Sequence, residues 1–532
     1  MKKFHYLFIV LLFIIVIISK AQVQAATDYQ VIRVGLESQY KNKSVIEIKT
    51  TKIGLGYSYD NNFSEEMVID SETGFELTPA TGYFFRIDKV YTNYEQAKNV
   101  ASTIEQLDIK AYPVITYKGS WQVYIGGDKD INNVQNQYNK VLDRFGFRYS
   151  NIMDDNGYRV LLKGQKDTIL IDVDDHNVYP QMISYISNSA GVKVIDLGNR
   201  VYRGRIEIGR YQNNSLTAIN IINIEHYLYG VVPSEMISSW PMEALKAQAV
   251  CARGYAVLKA GYVSQASVKK PYRINDTTES QVYKGYSAET SRTNQAVDAT
   301  KGETVSYKNQ IVSTYFFSTS GGRTQNVEDV WSKAAPYLRS VPDLYENDPA
   351  MKPWVISLTR SQINNKLLGK GYNIGNILDI FPEIKTESGH VYSLKVKGST
   401  KNVVLQTGTI RSTLSLYSTK FKVIEYGDKP DKVIMKGRNS TSSKQISQSY
   451  IIDGSFNVKK ASQTLDQYIA ISEDNRTNFP RITPKSKDVI LFAGQGYGHG
   501  VGMSQSGAKG MAEAGFTYKE ILKHYFVGTE IR

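Results

Sequence analysis

One cysteine, Cys251, stands in 532 residues, which excludes an intrachain disulfide and any zinc site built from CxxC pairs. Histidine is scarce as well: beyond His499 the chain after its leader has only His176, His226, His390 and His524, and no close His/Cys spacing of a zinc site appears. No internal repeat or low-complexity linker stands out, and no zinc-finger or RNP-type signature is present. With 41% hydrophobic, 11% aromatic and 22% charged residues, the chain is a folded protein with real cores rather than a disordered, collagenous or coiled-coil one. Its length allows roughly two to four domains. What is abundant is tyrosine, 38 in all, and positive charge, formally +13. The charge points to an anionic partner without naming it. Tyrosines, with a polar tip on an apolar ring, suit sugar-binding surfaces and ordinary cores alike.

The first residues suggest the compartment. Lys2 and Lys3 precede an apolar run from Tyr6 to Ile18, and Val23-Gln24-Ala25 follows. A positive start, a short apolar stretch and small residues at −3 and −1 read as a secretory signal over 1–25. The alternative is an uncleaved anchor, which normally wants nearer ~20 apolar residues. Cleavage after Ala25 removes three lysines and no acid, leaving +10. An exported chain that does without disulfides points to a bacterial exterior, where teichoic acids and peptidoglycan stem peptides supply the negative charge. Nucleic acid is not expected as a partner.

The fold class expected is α+β. Residues 26–82 form a strand-rich segment, with strands at 31–36 and 45–50. Over 83–150 the pattern is sharper. Tyr83–Val90 reads as a strand; Ala97, Val100, Ala101, Ile104 and Leu107 fall at helical spacing. Strands Ala111–Tyr117 and Trp121–Gly126 follow around a Lys118-Gly119-Ser120 turn, and Val134, Tyr138, Val141, Leu142 and Phe145 mark a second helix. This βαββα order resembles the sporulation-related repeat (SPOR) domain, a glycan-binding module. Residues 151–194 connect it to a larger mixed domain, 195–532. Strand-like stretches at 192–195 and 202–208 lead there into an Ala-rich helix that starts at Pro241 and runs to about Lys259, with Leu245, Ala249, Ala252 and Ala256 on its apolar face. Asn/Ser/Lys-rich residues 437–448 read as a surface loop.

Few residues here can carry chemistry. Glu235 sits in Val232-Pro233-Ser234-Glu235-Met236 before the Ala-rich helix. Apolar neighbours (Val231, Val232, Met236, Trp240) raise a carboxyl pKa, the condition of a general acid. The plain alternative is a capping or solvated glutamate, as Glu243 is in the first helical turn. Cys251, mid-helix among alanines, reads as a small buried hydrophobe rather than a thiolate. Tyr315–Thr324 is an aromatic strand leading into a polar Gly321-Gly322 turn, where hydroxyls and Arg323 can meet a sugar or a carboxylate; an ordinary hairpin reads the same way. Five glycines alternate from Gly494 to Gly502, which a packed strand does not tolerate without reason. Without a Gly-Lys-Ser/Thr ending this is no phosphate loop. Within it His499 is a proton-transfer group, a ligand contact or a satisfied buried histidine.

Together, YLYGVVPSEM (227–236), WPMEALKAQAVCARGYAV (240–257), DTTESQVYKG (276–285), STSGGRTQNVEDVW (318–331), RSTLSLYSTKF (411–421) and, most specifically, GQGYGHGVGMSQSGAKGMAEAGFTYKEILKHYF (494–526) resemble the stage II sporulation protein D and amidase-enhancer family. The ordered blocks cover about 195–532. The resemblance implies action on peptidoglycan outside the cytoplasm, as a lytic transglycosylase cutting MurNAc–GlcNAc strands stripped of stem peptides. The family's catalytic glutamate falls on Glu235. Gln248, Arg253, Ser320, Arg323, His499 and Gln505, drawn from the shared blocks, are candidate substrate-binding residues. Two departures matter. Phe316 and Phe317 stand where sporulation members often place Cys-His, some of which hold zinc, so no metal and no cofactor is expected. Leu414-Ser415-Leu416-Tyr417-Ser418 replaces the more usual Leu-Gly-Leu-Arg-Ser. The competing expectation is a non-catalytic, glycan-binding enhancer of a cell-wall amidase; a purely structural wall component is a third.

Overall fold

The computed structural model describes residues 31–532 except 60–61, 117–119, 154–157, 174–178, 212–214, 261–270, 332, 347–352, 426–431, 438–439, 446–449, 453–457, 461–466, 472–475 and 481–485. The leader expected at 1–25 and His176 lie outside the described residues. Among the described residues no helix is long and apolar enough to cross a membrane. Strands and helices mix throughout, as the α+β expectation required, and the chain divides into two compact units, residues 1–313 with 531–532 and residues 314–530.

Two large sheets dominate the first unit. The larger has eight strands and contains the βαββα stretch. Tyr83–Ile87, Ala111–Ile115 and Trp121–Asp128 are its strands, and Tyr94–Glu105 and Ile131–Phe145 its helices. Each helix begins where the sequence provides a cap: the Asn93 side chain accepts from Gln96 N–H and that of Asp130 from Asn132 N–H. The second helix stops at Gly146 in the left-handed conformation. Ala97, Ala101 and Ile104 on one helix and Val134, Tyr138 and Val141 on the other are buried, on the spacing read from sequence. Phe85 stacks on Tyr138 at 5.2 Å between ring centres. Of the turn expected at 118–120, residues 118 and 119 lie outside the described set; at its edges Thr116 N–H and hydroxyl both donate to the Ser120 carbonyl. A further strand, Tyr149–Met153, pairs antiparallel beside Tyr83–Ile87. On the far side the sheet continues through Thr168–Ile171, Val160–Lys163, Phe75–Pro79 and Ile46–Ile48.

The other sheet has seven strands, in the order Ile274–Asn275, Val31–Gly35, Thr217–Asn223, Arg205–Gly209, Gln181–Ser184, Lys52–Tyr59 and Asn62–Asp70. Strands from before the βαββα stretch and from after it are therefore mixed in one sheet, which a chain-order reading does not reveal. The third of these strands, TAINIIN, is buried on both faces apart from its last residue, so, Thr217 and Asn220 aside, the buried part is apolar throughout rather than with a period of two.

Three helices follow that strand: Ile224–Glu235, Met242–Ala260 and Ser291–Asp298. Expected as a helix with one apolar face, Met242–Ala260 is instead buried almost all round; Ala244, Ala247, Ala249, Val250, Cys251 and Ala252 are all fully covered. Small side chains permit that, because neighbours can close on every side without leaving cavities. Burial raises the Cys251 thiol pKa well above its ordinary value, which fits the reading of an inert buried hydrophobe.

In the second unit one cluster joins Trp354, Ile363, Leu367, Leu394, Leu405, Ile410, Leu414, Phe421 and Phe492 in a single core. Two three-stranded sheets flank it: Trp354–Thr359, Val489–Gly494 and Phe421–Ile424 in one, Ile377–Lys385, Val391–Gly398 and Asn402–Gln406 in the other. The loop expected at 437–448 is corrected in part, since Lys432–Gly437 and Ser440–Gln445 pair as an antiparallel ribbon. Pairing satisfies backbone groups that the polar composition seemed to leave to water.

Gly230 marks a tight contact in the first unit. A Cβ there would lie 2.6 Å from Tyr283 Cε2 and 2.9 Å from the Gly285 carbonyl oxygen. Gly230→Ala is expected to cost about 1–3 kcal/mol of stability, read from the midpoint of denaturant unfolding. An unchanged midpoint would mean that the helix can lift away from residues 276–285.

Candidate functional site

Glu235 closes the Ile224–Glu235 helix, whose first turn is capped by the Asn223 side chain accepting from Glu225 N–H. Glu235 stands before the Ala-rich helix, where the sequence placed it, and in the last turn of a helix of its own. Pro233 sits inside that turn, and Met236 leaves it in extended conformation while its N–H still reaches the Val232 carbonyl at 2.9 Å. Val231, Val232 and Met236, neighbours of Glu235 in sequence, are buried, and Trp240 is partly so. The group itself is half-buried, and its Oε1 accepts from the Val282 N–H at 2.6 Å.

Val282 belongs to the 276–285 block, which is anchored on both sides of it. Asp276 is buried and accepts from Ser38 N–H and from Arg200. Tyr283 packs in the groove at Gly230 and donates from its hydroxyl to Asn220 Oδ1 at 2.7 Å. Tyr227, one helical turn before Gly230, donates to Gln281 Oε1 at 3.1 Å, and Gln281 donates to the Ala252 carbonyl. Burial, with the nearby Glu235 charge as a second cause, drives the Tyr227 phenol well above its ordinary pKa, so it stays a protonated donor. Val282, Gln281 and Tyr227 position Glu235 and were not singled out in the sequence; the first acts through its backbone, which carries no side-chain signal.

Gln248 and Arg253 lie on the neighbouring helix, Met242–Ala260, and both are buried within the unit. Arg253 forks onto Glu225, Nε to Oε1 at 2.8 Å and one terminal nitrogen to Oε2 at 2.7 Å, and also donates to the carbonyls of Glu303 and Val297. That guanidinium ties two helices and the 297–303 turn together. In this arrangement it is a structural strut rather than a group presented to a ligand.

The other four candidates come together in the second unit. The glycine run is threaded between two blocks. On one side Thr319 and Tyr497 exchange backbone hydrogen bonds, and Gln325 N–H donates to the Gly500 carbonyl; on the other, Gly498 N–H donates to the Tyr417 carbonyl and Gln495 N–H to that of Lys420. Gly496, Gly498, Gly500 and Gly502 all have positive φ, between 76° and 116°. This is why the text alternates glycine: every second residue takes a conformation that side chains avoid. Ser415 has φ 58°, so a serine holds a left-handed position there.

His499 is walled by aromatic rings, with centres 4.9 Å from Trp331, 5.4 Å from Phe317 and 6.3 Å from Tyr315. Its Nδ1 accepts from Val501 N–H at 3.1 Å. Burial, and secondarily Arg411, lowers its pKa to about 3, so it is neutral and holds backbone. Of the three readings, a histidine satisfied by backbone fits this geometry, the ring itself being partly exposed. Phe316 and Phe317 pair in parallel with Met503 and Ser504. Ser504 caps the Gln505–Glu513 helix by accepting from Gly507 N–H, which sets Gln505, buried, at its first position. Ser320 is buried, with its hydroxyl on Glu346 at 2.7 Å, and Arg323 donates to the Ser340 carbonyl at 3.4 Å. Glu346 gave no sequence signal, because only folding brings it to the turn 24–26 residues earlier.

Two outcomes follow. Arg253→Met is expected to lose about 3–5 kcal/mol of stability, because Glu225 is left as a buried charge without its partner, while affinity for any ligand measured below the melting point stays unchanged. The second concerns acid. His390, buried with Nδ1 on Ser388 Oγ, is also lowered to about 3, by burial first and Lys420 second. From the ordinary histidine value near ~6.5 down to about 3 the unfolded chain takes up protons that the folded one refuses, so stability falls as pH falls through that window. His390→Asn and His499→Asn are each expected to flatten the decline of Tm between pH 6.5 and 4 relative to the parent. Parallel curves would refute the burial of neutral rings.

A family model described as Stage II sporulation protein matches residues 212–307. That range holds the Glu235 helix, the Ala-rich helix and the 276–285 block. An uncharacterized protein of Brachyspira hyodysenteriae (strain ATCC 49526 / WA1) is 32% identical over 319 residues, which cover 60% of this chain and 69% of that protein. Stage II sporulation protein D of Bacillus subtilis (strain 168) is 29% identical over 341 residues, covering 61% of this chain and 78% of its own length. The amidase enhancer of the same organism is 32% identical over 313 residues, and there the match spans 57% of this chain but 40% of the relative. With the sequence blocks, the Glu235 turn and these relatives in agreement, the chain belongs to the stage II sporulation protein D and amidase-enhancer family.

Proposed function

We propose that this protein acts on the bacterial cell wall outside the cytoplasm, as a peptidoglycan lytic transglycosylase with Glu235 as its acid and base. The observation that carries the reading is the setting of that carboxyl group. It is half-buried, and one oxygen is fixed by Val282 N–H at 2.6 Å. A partly desolvated carboxyl group held in one position is what a proton donor to a glycosidic oxygen requires.

The reaction needs one such group. Glu235 gives its proton to the oxygen linking MurNAc to GlcNAc, and the C1–O bond breaks with oxocarbenium character at C1. The carboxylate that remains takes the proton of the sugar's own C6 hydroxyl as that oxygen bonds to C1. A 1,6-anhydro ring forms, the glutamic acid is regenerated, and no water is consumed. Ordinary hydrolases differ in needing a second carboxylate, as nucleophile or to activate water. The Val282 N–H holds the carboxyl in place through both transfers. The +10 charge left after leader removal suits approach to an anionic wall, and the βαββα stretch at 83–150 is a second candidate for holding glycan.

A second reading has its own support, the relative named amidase enhancer. There the protein binds glycan and stimulates an N-acetylmuramoyl-L-alanine amidase without cutting strands. The deciding experiment sets the protein without residues 1–25, and its Glu235→Gln variant, on peptide-free and peptide-bearing glycan strands and reads products by mass spectrometry. Fragments ending in 1,6-anhydro-MurNAc from the parent, reduced at least about 10²-fold in the variant, are expected. Reducing-end products would mean hydrolysis. No cleavage, with amidase stimulation that survives Glu235→Gln, would establish the enhancer instead.

A further inference from the structure

In the second unit, the turn Ser320-Gly321-Gly322 aims its donors at one point. The N–H groups of Ser320, Gly321 and Gly322 and the Ser320 hydroxyl lie 3.2, 2.9, 3.2 and 2.7 Å from a single atom, Oε2 of Glu346. Positive φ at Gly321 and Gly322, 69° and 101°, turns successive N–H groups the same way, the geometry of a backbone anion nest. Two cations stand beside it: Lys420 Nζ donates to the Gly321 carbonyl at 2.7 Å, and Arg323 is the next residue along. The turn also has an open side, since Gly322 is exposed and a Cβ built there meets nothing within 4 Å.

The present occupant fills this cradle poorly. A carboxylate oxygen offers about two lone-pair positions, yet four donors lie within reach of Oε2, and one of them, the Gly322 N–H, is nearer to Ser320 Oγ, at 3.0 Å, than to Glu346. Glu346 is also penalised by burial and by the facing Asp343, which together raise its pKa. A carboxylate entering with both oxygens would share the donors and keep the two cations.

We propose that the Ser320–Gly322 turn is a carboxylate-binding site latched by Glu346, and that the ligand displacing Glu346 is the lactyl carboxylate a muramic acid residue exposes when its stem peptide is removed. The identity of that ligand rests on the reading of the protein as one that acts on peptidoglycan; the carboxylate chemistry does not. The site therefore selects stripped strands over peptide-bearing ones, whose lactyl group is an amide and carries no charge.

Calorimetric titration tests this in a Glu235→Gln background, so that strand cleavage and this affinity are read separately. The probes are an oligosaccharide with a free lactyl carboxylate, the same oligosaccharide as its lactamide, and a stem peptide ending in a free carboxylate. Glu346→Gln is expected to bind the free acid about tenfold tighter, the scale of one charge-assisted hydrogen bond, and to leave the lactamide unchanged. Adding Ser320→Ala is expected to abolish the gain. Glu346→Asp keeps the charge on a shorter arm and is expected to tighten acid binding as well. If both Glu346 variants merely melt earlier, or gain equally for acid and amide, Glu346 is a structural strut and the proposal falls. Tighter binding of the peptide than of the sugar acid would overturn the lactyl assignment.

Discussion

The geometry around Glu235 depends on an absence, the missing side chain at Gly230. With no Cβ there, Tyr283 and the Gly285 carbonyl come against the helix, and Val282, between them and Gln281, is brought close enough for its N–H to hold the Glu235 carboxyl group. The rest of the surroundings reinforce that approach. Asp276 ties the start of the block to Ser38 and Arg200, Gln281 bridges Tyr227 and the Ala252 carbonyl, and the Ala-rich helix beneath is narrow enough to let these layers close. A carboxyl group held by a backbone donor of a well-anchored segment has little freedom left to lose.

The second unit uses backbone conformation in a different way. Four glycines at positive φ let a strand-like thread run between two blocks while its carbonyls and N–H groups serve both neighbours. His499 is part of that scaffold. A neutral imidazole accepting from Val501 and ringed by Trp331, Phe317 and Tyr315 fixes the thread's path, and its lowered pKa follows from the same enclosure. The Ser320–Gly322 turn beside it is the place where converging backbone donors meet a carboxylate.

Charge is divided between structural and exposed roles. Arg33 with Glu207, Arg203 with Glu289 and Arg253 with Glu225 are largely buried pairs that join separate elements of the first unit. Such pairs contribute to specificity of packing more than to net stability, because desolvation offsets much of the attraction. The excess positive charge elsewhere on the chain remains available for long-range attraction to an anionic partner.

The sequence by itself determined much of the local structure. Periodicity located the two helices and the three strands of the βαββα stretch to within a few residues, because their apolar faces repeat at 3.6 or at two and their caps are local. It identified the Ala-rich helix, the inert Cys251, the unusual glycine run and the family, and it singled out Glu235 through the block around it. Sequence order could not show that strands from both sides of the βαββα stretch interleave in the seven-stranded sheet, since pairing partners far apart in the chain leave no local pattern. Nor could it separate Arg253, turned inward onto Glu225, from an arginine that faces a ligand: residue type is the same in both, and only packing decides which way the fork points. The tertiary structure alone brought Val282 to Glu235 and Glu346 to Ser320, because both are bonds between a carboxylate and backbone N–H groups, and a backbone donor is present at every residue but proline.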